Sequence, residues 1–110
     1  LISGLVMGAD GGIGGTYGAM PELILKIYEL VKAGDMATAK QIQYDVDNII
    51  YALCGTKGNM YASIKEVLRR REGLDLGGVR EPLYNLVPED MPQIDKCVTM
   101  IDEAMAKWIK

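Results

Sequence analysis

The distribution of glycine is the feature that most constrains the fold of this chain. Seven of its thirteen glycines fall within the first 20 residues, in an otherwise apolar segment. This segment predicts a short helix end over residues 1–7 and a buried strand over residues 9–13. No later segment is typical of a strand, and a buried strand without a partner leaves backbone groups unpaired at high cost. The sequence therefore indicates either a frayed opening or a strand whose neighbours lie outside this chain.

The remainder of the chain predicts four amphipathic helices, because apolar residues recur at helical spacing. Pro21 suits the first position of a helix over residues 21–33, which Gly34 would end. Asp35 and Asn59 are typical N-caps for helices that end near residues 53 and 72. Pro88 and Glu89 would open the last helix, after a glycine- and proline-rich loop over residues 74–88. Four residues of the third helix are predicted to face inward: Tyr61, Ile64, Val67 and Leu68.

Composition excludes several classes of function. The net charge is -3, whereas nucleic-acid binding requires a clustered basic face. The chain contains no histidine, the commonest metal ligand and general base. No apolar run reaches the length of a membrane span, and the apolar N-terminus has no basic region typical of a secretory signal. Cys54 and Cys97 form no CxxC pair, so we expect two reduced, buried thiols in a cytoplasmic protein without a metal site.

The glycine-rich stretch GADGGIGGTYG, residues 8–18, is the only motif-like segment. Gly12 and Gly14 provide the first two glycines of a dinucleotide-binding fingerprint, but Tyr17 stands in the place of the third. The stretch also lacks the GK[ST] ending of a phosphate-binding loop. Two interpretations remain: an anion site made of amides before the helix at Pro21, or a strand and turn whose glycines permit close packing.

Charged side chains elsewhere in the chain are weaker candidates for a functional site. Arg69, Arg70 and Arg71 are predicted to form a solvated helix end, with an anion site as the alternative. Lys65 has no neighbour that predicts desolvation, which a lysine nucleophile needs. Asp45 and Asp47 point in different directions on a helix and do not form a catalytic pair.

The opening segment also resembles a known family. GLVMGADGGIGGTYG is similar to the last strand of N-acetylneuraminate lyases, within the dihydrodipicolinate synthase family. The similarity continues through KAGD at residues 32–35 and GLDLGGVREPL at residues 73–83, and so covers essentially the whole chain. The resemblance implies a (β/α)8 barrel with added C-terminal helices. Residues 1–34 would be the end of helix seven, strand eight and helix eight, and residues 35–110 the C-terminal helical region.

The resemblance implies a function that this chain does not carry alone. The family cleaves its substrate by a class I aldol reaction, in which a lysine forms a Schiff base with pyruvate. That lysine and the proton-relaying tyrosine would precede Leu1, so we expect no catalytic residue, no cofactor and no metal in this chain. Gly15 and Thr16 would be substrate-binding residues at the end of strand eight. The family often has serine at position 15 and asparagine at position 18, where this chain has glycine.

These observations lead to one main hypothesis and two alternatives. The main hypothesis is the C-terminal, mostly α-helical fragment of a cytoplasmic, homo-oligomeric enzyme that acts on sialic acid and releases pyruvate. The first alternative is another aldolase or dihydrodipicolinate synthase of the same family. The second is a small helical interaction domain without catalysis.

Overall fold

The computed structural model describes all residues from Leu1 to Lys110 and contains five α-helices and no strand. A short helix, α1, spans Ile2–Val6, and a turn of 3-10 helix follows at Tyr17–Ala19. The longer helices are α2, Pro21–Ala33; α3, Met36–Leu53; α4, Met60–Glu72; and α5, Met91–Trp108. None of these helices is sufficiently long and apolar to cross a membrane.

Local signals place the ends of α2, α3 and α4 where the sequence predicts them. Pro21 occupies the first turn of α2, and Gly34 ends that helix in the left-handed conformation at φ 85°. The side chain of Asp35 accepts the amide of Thr38 at 3.0 Å and so caps α3. Asn59 caps α4 in the same way, and Gly73 ends it at φ 70°. Pro88 opens a turn of 3-10 helix, Pro88–Asp90, so that α5 begins three residues later than predicted.

The core lies where α2, α3 and α5 pack against one another, and α4 packs against α5 and α3. It is a single cluster of 17 buried apolar residues. Fully buried side chains of the three central helices form its centre: Leu23, Ile27, Ile42, Ile49, Leu53, Ile94 and Ile101. Burial of such aliphatic side chains contributes about 1.5–3 kcal/mol each. The helical stripes therefore provide a core without the opening segment.

The strand predicted over residues 9–13 is not formed. These residues run without regular structure, and Ile13 is fully exposed. A strand requires a hydrogen-bonded neighbour, and every other part of this chain is helix, turn or loop. The loop predicted over residues 74–88 is observed, apart from the 3-10 turn that begins at Pro88.

Two side-chain orientations also differ from prediction. Cys54, expected to be buried, is exposed because it caps the C-terminal end of α3. Cys97 is buried as predicted, and burial raises the pKa of its thiol. Tyr61, expected to face inward, is 48% exposed at the first turn of α4.

Candidate functional site

The candidate site is the chain segment that leads from α1 into α2. It leaves α1 through a hydrogen bond from the Ala9 amide to the Gly4 carbonyl, at 2.9 Å. Farther along, the Tyr28 hydroxyl of α2 donates to the Asp10 carbonyl at 3.2 Å. Its last residues close a turn in which the Tyr17 amide donates to the Gly14 carbonyl. The segment is thus attached at several points, although it has no regular structure.

Thr16 is buried but keeps its hydroxyl available. Only 6% of the residue is exposed. Its hydroxyl does not cap the following 3-10 turn and makes no hydrogen bond within the chain. Because no buried polar side-chain atom in the protein lacks a partner, this hydroxyl must retain access to solvent. The hydroxyl therefore has no hydrogen-bond partner within the chain, although the residue as a whole is buried.

Gly15 lies beside the edge of the Tyr61 ring. A Cβ atom at position 15 would lie 2.8 Å from Tyr61 Cε1 and 3.2 Å from its hydroxyl oxygen. The first of these distances is shorter than a van der Waals contact. The tyrosine thus fills the space that a side chain at position 15 would occupy.

A second tyrosine covers the neighbouring glycines. The Tyr17 ring lies so close to Gly14 that a Cβ there would be 2.7 Å from Cδ1, and its hydroxyl approaches Gly12. Glycine at positions 14 and 15 is therefore explained by packing against aromatic rings, and glycine at position 12 by packing against Leu1 and Tyr17. This supports the close packing in the second interpretation of the glycine-rich stretch, although the strand of that interpretation is not formed.

An apolar groove of about 360 Å³ lies beside the same segment. Its walls come from the chain start, the glycine-rich segment and α2, and they include Leu1, Gly12, Tyr17, Ile24 and Leu25. Leu25 is 60% exposed although it belongs to a helix with a well-buried opposite face. The groove is thus an uncovered apolar face whose lining includes Gly11, Gly12 and Tyr17 but not Gly15 or Thr16.

The first turn of α4 is fixed on both sides, and this positions Tyr61. The Asn59 side chain accepts the Tyr61 amide at 2.9 Å, and the Asn59 amide donates to the Tyr84 carbonyl at 2.8 Å. At the other end of the helix, Arg71 donates to the Ala19 carbonyl at 3.5 Å and pairs with Asp102 of α5 at 3.0 Å.

The arginine cluster is engaged in ion pairs and is not a free anion site. Arg69 and Arg70 both donate to Glu66, at 2.6 Å and 2.9 Å, and Arg70 also pairs with Asp95. The hydrogen bond from Arg69, assisted by Arg70, lowers the pKa of Glu66 to about 2. The predicted solvated helix end is therefore a network that connects α4 to α5.

Other polar candidates have structural partners. Lys65 Nζ donates to the Gly78 carbonyl at 2.6 Å and holds the loop before α5. Asp45 accepts from the Trp108 indole at 2.7 Å, whereas Asp47 accepts from Gln43 at 2.9 Å. No group of three histidine, cysteine or carboxylate side chains could hold a metal ion.

Sequence reasoning named Gly15 and Thr16 but missed Tyr61 as a neighbour of this site. The structure places Tyr61 beside Gly15, the sequence neighbour of Thr16. Tyr61 lies far from Gly15 in sequence. A local sequence pattern cannot predict a contact between the first turn of α4 and a loop that is distant in sequence. The one available signal was the absence of a side chain at position 15, which leaves room for another group.

Comparisons with known proteins give a consistent family assignment. The model of the dihydrodipicolinate synthetase family matches residues 1–101. The chain is 54% identical to the N-acetylneuraminate lyase of Mediterraneibacter gnavus over 108 residues, which is 98% of this chain and 34% of that protein. It is 36% identical to the N-acetylneuraminate lyase of Haemophilus influenzae over 84 residues, which is 76% of this chain and 28% of that protein.

Solved structures agree with the sequence comparisons. The wild-type sialic acid aldolase of Ruminococcus gnavus matches with a TM-score of 0.96 and 54% identity, over 98% of this chain and 36% of that chain. A catalytic lysine mutant of the same aldolase gives the same TM-score and identity, over 35% of its chain. This chain therefore spans about a third of the length of the relatives it matches.

Proposed function

Since this chain belongs to the dihydrodipicolinate synthetase family, we propose that it provides one β/α unit and the C-terminal helices of a pyruvate-dependent aldolase. In this proposal, residues 1–34 contain the end of barrel helix seven, strand eight and helix eight. Residues 35–110 form the C-terminal helical region. The single observation that supports this most strongly is 54% identity over 98% of the chain, together with a TM-score of 0.96.

The proposed reaction is the cleavage of N-acetylneuraminate to pyruvate and N-acetylmannosamine. Two relatives are named N-acetylneuraminate lyases, and the solved structures are described as a sialic acid aldolase, one of them altered at a catalytic lysine. A lysine amine adds to the substrate carbonyl carbon and water leaves, which gives a protonated Schiff base. A general base then takes the proton of the hydroxyl group next to the breaking bond, and the electrons of the carbon–carbon bond pass into the Schiff base to form an enamine. Protonation and hydrolysis of this enamine release pyruvate and regenerate the lysine. Within this chain, Lys65 already binds backbone carbonyls, so it has a structural role and does not supply the amine.

The part of this chain in the proposed reaction is substrate contact. Catalytic sites of (β/α)8 barrels lie at the C-terminal ends of the strands. In the proposed register, that end coincides with Gly15 and with Thr16, whose hydroxyl is free. We propose that these two residues contact the sugar portion of the substrate, and that the assembled enzyme is a homo-oligomer.

A chimera tests this function. The 110 residues would replace the matching third of the Mediterraneibacter gnavus lyase, and release of pyruvate from N-acetylneuraminate would be measured. Cleavage is the expected result. Absence of cleavage in a folded chimera that still forms a borohydride-trapped adduct with pyruvate would contradict the sugar assignment and favour another 2-keto-acid aldolase.

The 110-residue chain by itself provides the matched control. We expect no cleavage and no borohydride-trapped adduct with pyruvate, because the chain has no candidate for the Schiff-base lysine. A stoichiometric adduct on Lys65 or on any other lysine would overturn this assignment of roles. Activity of the chain alone would also exclude the alternative of a non-catalytic interaction domain.

A further inference from the structure

Tyr61 presents a free phenol at the point where the site lacks a side chain. Its hydroxyl oxygen lies 3.2 Å from the Cβ position of Gly15, and its ring edge lies closer still. The residue is 48% exposed, its backbone amide donates to the cap at Asn59, and its hydroxyl makes no hydrogen bond within the chain. A half-exposed phenol without a partner is able both to donate and to accept a hydrogen bond.

The backbone position of Tyr61 follows from the fold. The three residues after Tyr61 are buried against the core, and the Asn59 cap fixes the backbone on the other side: Ala62, Ser63 and Ile64. The turn Tyr17–Ala19, which directly follows Gly15 and Thr16, packs against α4. Hence Tyr61 and the candidate site form one connected unit.

We propose that Tyr61 is a specificity-determining residue of this site. Its phenol substitutes for the missing side chain at position 15 and hydrogen-bonds a hydroxyl group on the sugar portion of the substrate. Glycine at position 15 is then a requirement of the arrangement, since any Cβ there would displace the ring. This inference depends on the proposed aldolase function and identifies a third substrate contact beside Gly15 and Thr16.

Removal of one hydroxyl group tests the proposal. In the chimeric lyase, Tyr61→Phe should lower kcat/KM for N-acetylneuraminate about two- to tenfold, the range that corresponds to the net contribution of one hydrogen bond. The borohydride-trapped adduct with pyruvate alone should be unchanged, because pyruvate lacks the sugar portion. Tyr51→Phe is the matched control, since Tyr51 lies on α3 and is 75% exposed. It should change neither measurement.

A rescue variant separates a substrate contact from a merely structural role. Tyr61→Ala should lose at least as much activity as Tyr61→Phe. Adding Gly15→Ser to Tyr61→Ala returns a hydroxyl group to the vacated space, and we expect partial recovery of kcat/KM. No effect of Tyr61→Phe in an active chimera, or no recovery in the double variant, would overturn the role of Tyr61 and leave the proposed function intact.

The geometry has its own test in the 110-residue chain. Nuclear Overhauser contacts between the Gly15 α protons and the Tyr61 ring protons should be present in the chain and absent in Tyr61→Ala. Absence of these contacts in the unaltered, folded chain would overturn the inference whatever the behaviour of the chimera. A folded chimera that never acts on N-acetylneuraminate would remove the proposed function, and this inference with it.

Discussion

The carboxylate of Asp90 accepts the backbone amide of Lys57 at 2.7 Å and so connects the start of α5 to the turn before α4. Its second oxygen accepts the amides of Gly58 and Val87, each at 3.1 Å. Burial by itself would raise the pKa of Asp90, but the three amides together lower it. One side chain therefore holds the turn that positions Asn59 and, through it, Tyr61.

The first prediction concerns this carboxylate. In Asp90→Asn, an amide group replaces one acceptor oxygen and faces backbone donors that it cannot satisfy. A buried backbone amide left without an acceptor costs about 1–3 kcal/mol. We expect a clear fall in the urea midpoint of the 110-residue chain. Glu89→Gln, at the exposed neighbouring position, is the control and should leave the midpoint unchanged.

The second prediction concerns pH. Arg69 and Arg70 hold the pKa of Glu66 at about 2, below its ordinary value of 4.5. A lowered folded-state pKa stabilises the fold above the ordinary value, and this contribution disappears as the pH falls from 4.5 toward 2. We expect Glu66→Gln to cost on the order of 1 kcal/mol near neutral pH.

The measurement for Glu66 is the difference in urea midpoint between the variant and the unaltered chain as a function of pH. The difference should shrink as the pH falls through this window, because the unaltered chain then loses the same interaction. A constant difference at all pH values would show that the ion pairs with Arg69 and Arg70 do not contribute to stability.

The third prediction compares two glycines that are both tightly packed. A Cβ at Gly58 would lie 2.9 Å from the backbone nitrogen and Cα of Leu86, whereas one at Gly15 meets the movable end of the Tyr61 ring. Backbone atoms cannot move aside as easily as the end of a side chain. Gly58→Ala should therefore lower the free energy of unfolding by about 1–3 kcal/mol. Gly15→Ser should lower the free energy of unfolding by no more than about 0.5 kcal/mol, which is typical of substitutions at surface positions. Equal costs in urea unfolding would show that the Tyr61 ring is held rigidly.

The helix boundaries could be predicted from the sequence because their signals are local. Gly34 and Gly73 adopt the left-handed conformation at the helix ends, and the side chains of Asp35 and Asn59 accept first-turn amides. The sequence predicts a strand over residues 9–13 that the structure does not contain. Whether such a segment forms a strand depends on partners that are distant in sequence or outside the chain, and a local pattern does not reveal them.

The candidate site was predictable only in part. Gly15 and Thr16 follow from the glycine-rich stretch and its resemblance to a barrel strand. The spacing of apolar residues in α4 distinguishes an apolar face of this helix from a polar one, and it assigns Tyr61 to the apolar face. Such a pattern does not show that a tyrosine at the edge of the stripe faces a loop instead of the core. Its contact with Gly15 is a tertiary one, and only the packing of α4 against the turn at Tyr17–Ala19 reveals it.

The last prediction concerns self-association of the isolated chain. Apolar side chains of the opening segment and α2 are exposed: Val6 at 59%, Met7 at 87%, Ile13 at full exposure and Leu25 at 60%, the last of which lines the groove of about 360 Å³. In a complete barrel, a strand is covered on both faces and paired at both edges. Without these neighbours, the exposed apolar surface should be buried by association of copies.

Light scattering at micromolar concentration measures this association directly. We expect at least a dimer for the unaltered chain and a shift toward monomer for Leu25→Glu, because a carboxylate in the groove opposes apolar contact. Tyr51→Ser, which removes an exposed side chain from α3, is the control and should not change the mass. The helical core should remain folded in each case, since its buried stripes do not include Leu25 or Tyr51. A monodisperse, cooperatively unfolding monomer would contradict the interpretation of residues 9–13 as a barrel strand that requires partners.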